Sequence, residues 1–143
     1  MRKINNFISA LTVFFLVSCD RTDFNTKDGA ALPGTETAIV GLYIDKNGYP
    51  QASVDKVKVF PGQKIIFAGP EKFDIVFKDE KSPTGRLETT SENGIVIIEI
   101  PQNIFEREQR ETKSADEKKE LVYNYGIRAN GKFTDPQIVV DRR

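Results

Sequence analysis

The chain has 143 residues, a formal net charge of 0, a single Cys, and neither His nor Trp. That length fits one domain, the balanced charge lacks the basic surface nucleic acid requires, and a lone cysteine excludes a disulfide within the chain. Without imidazole there is no ordinary general base near neutral pH and none of the commonest metal ligand, so no cofactor is expected.

The chain opens with Arg2 and Lys3 and no acid, followed by the apolar run Phe7 to Val17. The run is too short to span a bilayer, which takes ~20 residues. A positive start and a short apolar core form a secretory leader. Leu16-Val17-Ser18-Cys19 resembles the lipobox of bacterial lipoproteins, where a small residue precedes the cysteine. The resemblance implies a signal peptide over 1–18, cleavage before Cys19, and lipid attached to its thiol and amino group. Several acyl chains at one point exceed what stable membrane attachment needs. The expected address is the cell envelope, on the periplasmic face or the cell surface. Losing the leader removes two bases and no acid, so the mature chain stays close to neutral. Residues 19–36 are polar, aperiodic and carry Gly29, Pro33 and Gly34, the composition of a flexible tether.

The domain is expected over 37–143. Thr37 to Ile44 alternates, with Ala38, Val40, Leu42 and Ile44 on one face. Lys46-Asn47-Gly48 is a turn signal; Pro50 is expected to stop immediate re-pairing and leave a loop to Asp55. Val54 to Phe60, Lys64 to Ala68 and Lys72 to Lys78 read as strands around a Pro61-Gly62 turn. Phe73, Ile75 and Phe77 share one face of the last, which marks the centre of the core. Asp79 to Asn93 reads as a long loop. Ile95 to Ile100 is nearly continuous in apolar residues, the pattern of a central strand covered on both faces. Asn103 to Lys119 is rich in helix formers with Glu106 and Arg110 at helical spacing; it reads as a solvated loop or marginal surface helix, the alternative being a charged arm that recognises a partner. Leu121, Tyr123, Tyr125 and Ile127 alternate strictly, Asn130-Gly131 is a loop tip, and Gln137 to Asp141 closes the chain. About seven strands with one charged excursion give an all-β sandwich of Greek-key type.

Two motifs go further. Val57 to Phe77 runs strand, Pro-Gly, strand, aromatic-rich strand. Tyr123-Asn124-Tyr125-Gly126-Ile127, then Gly131, then Asp135-Pro136-Gln137-Ile138-Val139-Val140-Asp141 resembles the closing strands of cupredoxin-like domains of the cell envelope. The resemblance implies that fold over roughly 38–141, with the first strand in a mixed sheet; a purely antiparallel order would instead favour an immunoglobulin-like sandwich. It also implies a copper site, and here the chain departs from its relatives. The positions of their ligands fall at about Phe73, Ile127 and Asn130, none of which can bind copper as two imidazoles and a thiolate do. Phe73 and Ile127 are expected to extend the core as an apolar plug.

The functional expectation is therefore a lipid-anchored, metal-free, non-catalytic binding or interaction module with an envelope partner. Its binding surface is expected where the relatives hold their ligand, on Gly69-Pro70-Glu71-Lys72 and Ala129-Asn130-Gly131-Lys132-Phe133, with Lys72, Phe73, Asn130 and Phe133 as the named candidates. Phe133 also reads as a packing cap. The alternatives are an immunoglobulin-like structural or accessory subunit and an envelope hydrolase. For the hydrolase no carboxylate pair stands out, and Asp45-Lys46-Asn47-Gly48 begins like a calcium loop but lacks the later bidentate acid.

Overall fold

The computed structural model describes residues 28–31, 35–113 and 117–142. The leader expected at 1–18, Cys19 and most of the tether expected over 19–36 lie outside the described residues. In chain order the strands are β1 (Asp28–Ala30), β2 (Thr37–Ile44), β3 (Pro50–Ala52), β4 (Lys56–Val59), β5 (Lys64–Ala68), β6 (Asp74–Phe77), β7 (Glu88–Thr90) and β8 (Ile95–Glu99). The helix α1 (Ile104–Thr112) follows, then β9 (Glu120–Ala129), β10 (Lys132–Thr134) and β11 (Gln137–Asp141). No helix among the described residues is long and apolar enough to cross a membrane.

The strands form two sheets. One has the order β3-β2-β5-β8; the other has the order β1-β4-β11-β9-β6-β7, with β10 hairpinned onto β9. Both are mixed: β2 runs parallel to β5, and β4 runs parallel to β1 and β11. The strand expected first, Thr37 to Ile44, is β2 and lies in a mixed sheet with β5 as its parallel neighbour. The chain crosses between sheets at β1–β2, β3–β4, β4–β5, β5–β6, β7–β8 and β8–β9, which makes a two-sheet β-sandwich with repeated crossovers.

Period-two alternation fills the space between the sheets. Val40, Ile65, Phe67 and Ile98 from one sheet meet Val57, Ile75, Tyr123, Tyr125, Ile127 and Ile138 from the other, all within one buried cluster. Phe73, Ile75 and Phe77 are buried together as their shared face requires. Burying each large apolar side chain contributes ~1.5–3 kcal/mol.

Several expectations change. β8 is the end strand of its sheet, not a central one. Val96 and Ile98 point inward, while Ile97 is 54% exposed. Its apolar run reflects the outer face, where Ile39, Ile66 and Ile97 stand side by side in register across β2, β5 and β8; β-branched neighbours of this kind stabilise a sheet through cross-strand contact even when exposed. Pro50 does not end pairing but begins β3, opposite Ile44. As the first residue of an edge strand it gives up no ladder hydrogen bond, and its carbonyl accepts from the Thr134 hydroxyl. Asp28–Ala30, within the expected tether, lies along β4. Gly29 permits this close approach, since a Cβ there would sit 3.0 Å from Val54 Cγ2. Glu88–Thr90, within the expected loop, pairs with β6.

The charged excursion contains α1. It buries Ile104, Phe105 and Glu108 and stops at Lys113, whose φ of 49° is left-handed. Glu108 Oε1 accepts from the Tyr123 hydroxyl at 3.0 Å, which ties the helix to β9.

Candidate functional site

The loop end of the sandwich is built by the β5–β6 loop, the end of β7 and the β9–β10 turn. Asn130 and Gly131 form that turn with φ of 52° and 73°, joining Ala129 to Lys132 across a two-residue hairpin. Asn and Gly fit because both tolerate the left-handed region. The β5–β6 loop is fixed by Ser91, which is buried. Its hydroxyl accepts from the Phe73 N–H at 2.9 Å and donates to the Glu71 carbonyl at 3.1 Å, and its own N–H donates to the Phe73 carbonyl at 2.8 Å.

Between these loops lies an open hollow of about 500 Å³, lined by Lys72, Phe73, Asp74, Thr90, Arg128 and the 129–131 turn. One wall is a polar network across three strands. Asp74 faces Arg128 on β9 and Thr90 on β7 in register. The Arg128 guanidinium donates from Nε to Asp74 Oδ2 at 3.0 Å, and its Nη2 sits 2.9 Å from the same oxygen and pairs with Glu88. Thr90 Oγ1 donates to Asp74 Oδ1 at 2.7 Å. The hydrogen bonds that Arg128 donates to Asp74 and Glu88 hold its pKa above the ordinary value. Lys72 has no ion pair of its own among the described residues, so the rim presents one ammonium beside an arginine shared by two carboxylates.

Of the four candidates, Lys72, Phe73 and Asn130 line this hollow and Phe133 does not. Lys72 and Asn130 are exposed, whereas Phe73 is 2% exposed and belongs to the core, as does Ile127. Both belong to the one buried cluster between the sheets. Phe133 lies on β10 opposite Arg128, and its ring covers Gly126 so closely that a Cβ there would come within 1.8 Å of Phe133 Cε1. Its ring packs on Gly126 while staying 39% exposed. Sequence reasoning missed Ser91, Asp74, Thr90 and Arg128. The signal for Ser91 is slight: a small hydroxyl before a Gly-containing turn.

Among the described residues no group of three His, Cys, Asp or Glu side chains could hold a metal ion. Asp45, first in the calcium-like run, is engaged by its own turn. One oxygen accepts from the N–H groups of Asn47 and Tyr49 at 2.8 and 2.9 Å, and the other from Gln51 Nε2 at 3.1 Å. The Tyr49 hydrogen bond is the largest cause of its lowered pKa.

No family model matches the chain, and no curated protein matches it. Among solved structures it is similar to a copper-containing nitrite reductase from Thermus scotoductus SA-01, with 13% identity over 71% of this chain and 22% of that one, at a TM-score of 0.43. It is also similar to a copper binding protein solved by NMR in the apo form, with 12% identity over 78% of this chain and 95% of that one, at a TM-score of 0.41. The chain thus spans under a quarter of the reductase.

Replacing Ser91 with Ala leaves the buried Phe73 N–H without its acceptor, and an unsatisfied buried donor costs about 1–3 kcal/mol. We expect a loss of that size in urea denaturation, together with faster hydrogen exchange at Phe73 that leaves β2 and β9 unchanged.

Proposed function

We propose that this chain is a lipid-anchored, non-catalytic binding module of the cell envelope, held to the membrane through Cys19 and presenting the loop end to an envelope partner. The observation that carries the binding role is the hollow lined by Lys72, Asp74, Thr90, Arg128 and Asn130. Arg128 is shared between Asp74 and Glu88, which leaves that network one net negative charge with Lys72 as the cation beside it, and a fixed set of ion pairs supports recognition. A rim of hydrogen-bonding groups set by strand register, with one exposed ammonium, suits a polar or acidic segment of a partner protein. The anchoring role rests on the leader and the Leu16–Cys19 run, since acyl chains at Cys19 supply membrane affinity without a basic patch.

The test is crosslinking of the full chain in its native envelope, followed by identification of what is attached. A Lys72→Ala/Asn130→Ala double variant is expected to lose the partner captured by the native chain, and mass spectrometry of the mature protein is expected to show Cys19 as an acylated N-terminus. Retention of the same partner by the double variant overturns the loop-end site. A mature protein that is unacylated and found in the soluble fraction overturns the anchor.

A further inference from the structure

A second hollow, of about 230 Å³, lies between the loop after β6 and α1, lined by Glu80, Lys81, Ser82, Gly85, Leu87, Arg107, Glu108 and Glu111. Three observations set it apart from an ordinary surface groove. First, two residues that line it each carry a buried polar atom with no hydrogen-bond partner among the described residues: Ser82 Oγ and Arg107 Nε. Ser82 is only 6% exposed. Buried donors are almost always satisfied, so an orphan is informative. Second, the two belong to one junction, because Arg107 Nη2 donates to the Ser82 carbonyl at 3.1 Å. Arg107 Nε has Glu111 Oε1 at 3.8 Å, which is an ion-pair distance and not a hydrogen bond. Third, the loop enters through Asp79 and Glu80, consecutive non-glycine residues with φ of 58° and 53°. Backbone held in that region costs free energy and gathers at binding sites.

The chemistry of the lining narrows the ligand. Lys81 and Arg107 are outnumbered by Glu80, Glu108 and Glu111, so a simple anion meets net negative charge. The acids are interleaved with two cations and do not form a metal-holding group. Donors from Ser82 and Arg107 beside carboxylate acceptors match a neutral molecule that both donates and accepts. Leu87, 44% exposed, offers an apolar surface for a C–H face. The volume falls below the usual ~300 Å³ of a drug-sized pocket, so the ligand is small. We infer that the hollow between the 80–87 loop and α1 is a binding site for a small neutral polyhydroxyl ligand of the carbohydrate class, distinct from the loop-end site.

The test is an amide NMR titration of the full chain in detergent micelles with methyl glucoside and N-acetylglucosamine, using acetate and methylammonium as anion and cation controls. Saturable shifts are expected from at least one sugar at Ser82, Gly85, Leu87 and Arg107. Loss of one hydrogen bond weakens small-ligand binding about tenfold or more when the donor is charged and several-fold when it is neutral, so Arg107→Lys is expected to weaken it by the larger factor and Ser82→Ala by the smaller. Unshifted β2 and β9 amides report that both variants fold. Lys72→Ala is expected to leave the sugar shifts unchanged, which separates this site from the loop end. No saturable shift with either sugar, shifts with acetate or methylammonium alone, or sugar affinity unchanged in both hollow variants overturns the inference.

Discussion

Phe67→Ala is expected to remove about 3–5 kcal/mol of folding free energy, the range for truncating a buried aromatic. Phe67 is fully buried on β5, between Val40 of β2 and Val96 of β8 in register. Its ring meets the edge of Tyr125 from the opposite sheet, with centroids 5.3 Å apart and planes at 67°, an arrangement that adds to plain burial. The site cannot collapse to fill the void. Both flanking strands are hydrogen-bonded to β5, and Tyr125 is held on β9 between its two neighbours. A domain of this size has only about 5–15 kcal/mol in total, so the variant is expected to lie near the edge of folding. Urea denaturation checks it: the midpoint falls while the slope is retained. Ile97→Ala, on the outer face of the same sheet, serves as the control and is expected to change stability by less than ~1 kcal/mol. Equal losses in the two variants would mean that the core is not where these strands face each other.

How much of this was legible beforehand follows from how local each signal is. The seven longer strands each carry a local apolar pattern, continuous rather than alternating in β8, and Pro61-Gly62, Asn47-Gly48 and Asn130-Gly131 mark turns by backbone chemistry alone. The four strands that went unread are three residues each, too short to show a period, and they form because a partner strand lies beside them. Ile95 to Ile100 misled because a continuous apolar run reads the same for a strand covered on both faces and for an edge strand with an exposed isoleucine row. The burial of Glu108 was hidden because its partner Tyr123 lies fifteen residues on, across the end of the helix. At the loop end, Lys72 and Asn130 were legible as exposed tips. The wall between them was not: Arg128 reaches Asp74 across 54 residues and Thr90 reaches it across 16. Those contacts depend on strand register, which no local pattern reveals.

Alkaline pH is expected to destabilise the fold through its buried tyrosines, and Tyr125 gives the cleaner test. Burial raises its pKa well above the ordinary 10.0, and the nearby Asp55 charge adds to the effect. Tyr123 is raised too, first by burial and then by the charge and hydrogen bond of Glu108. A raised pKa in the folded state means that above pH ~10 the unfolded chain has released a proton that the folded chain still holds. Stability from this source is therefore complete below pH 10 and falls as the pH rises past it, by about 1.4 kcal/mol per pH unit for each such tyrosine. Tyr125→Phe removes the titrating group along with a buried hydroxyl that has no partner among the described residues. At pH 7 the variant is expected to be as stable as the native chain or slightly more so, because an unsatisfied polar atom has been deleted. Above pH 10 its loss with pH is expected to be shallower. Tyr123→Phe is expected to behave differently: it strips a hydrogen bond from the buried Glu108 carboxylate and lowers stability already at pH 7. Chemical denaturation across pH 7 to 11 distinguishes the two. An unchanged alkaline slope in Tyr125→Phe would mean that this hydroxyl reaches solvent in the folded protein, contrary to its place between Phe67 and Phe77.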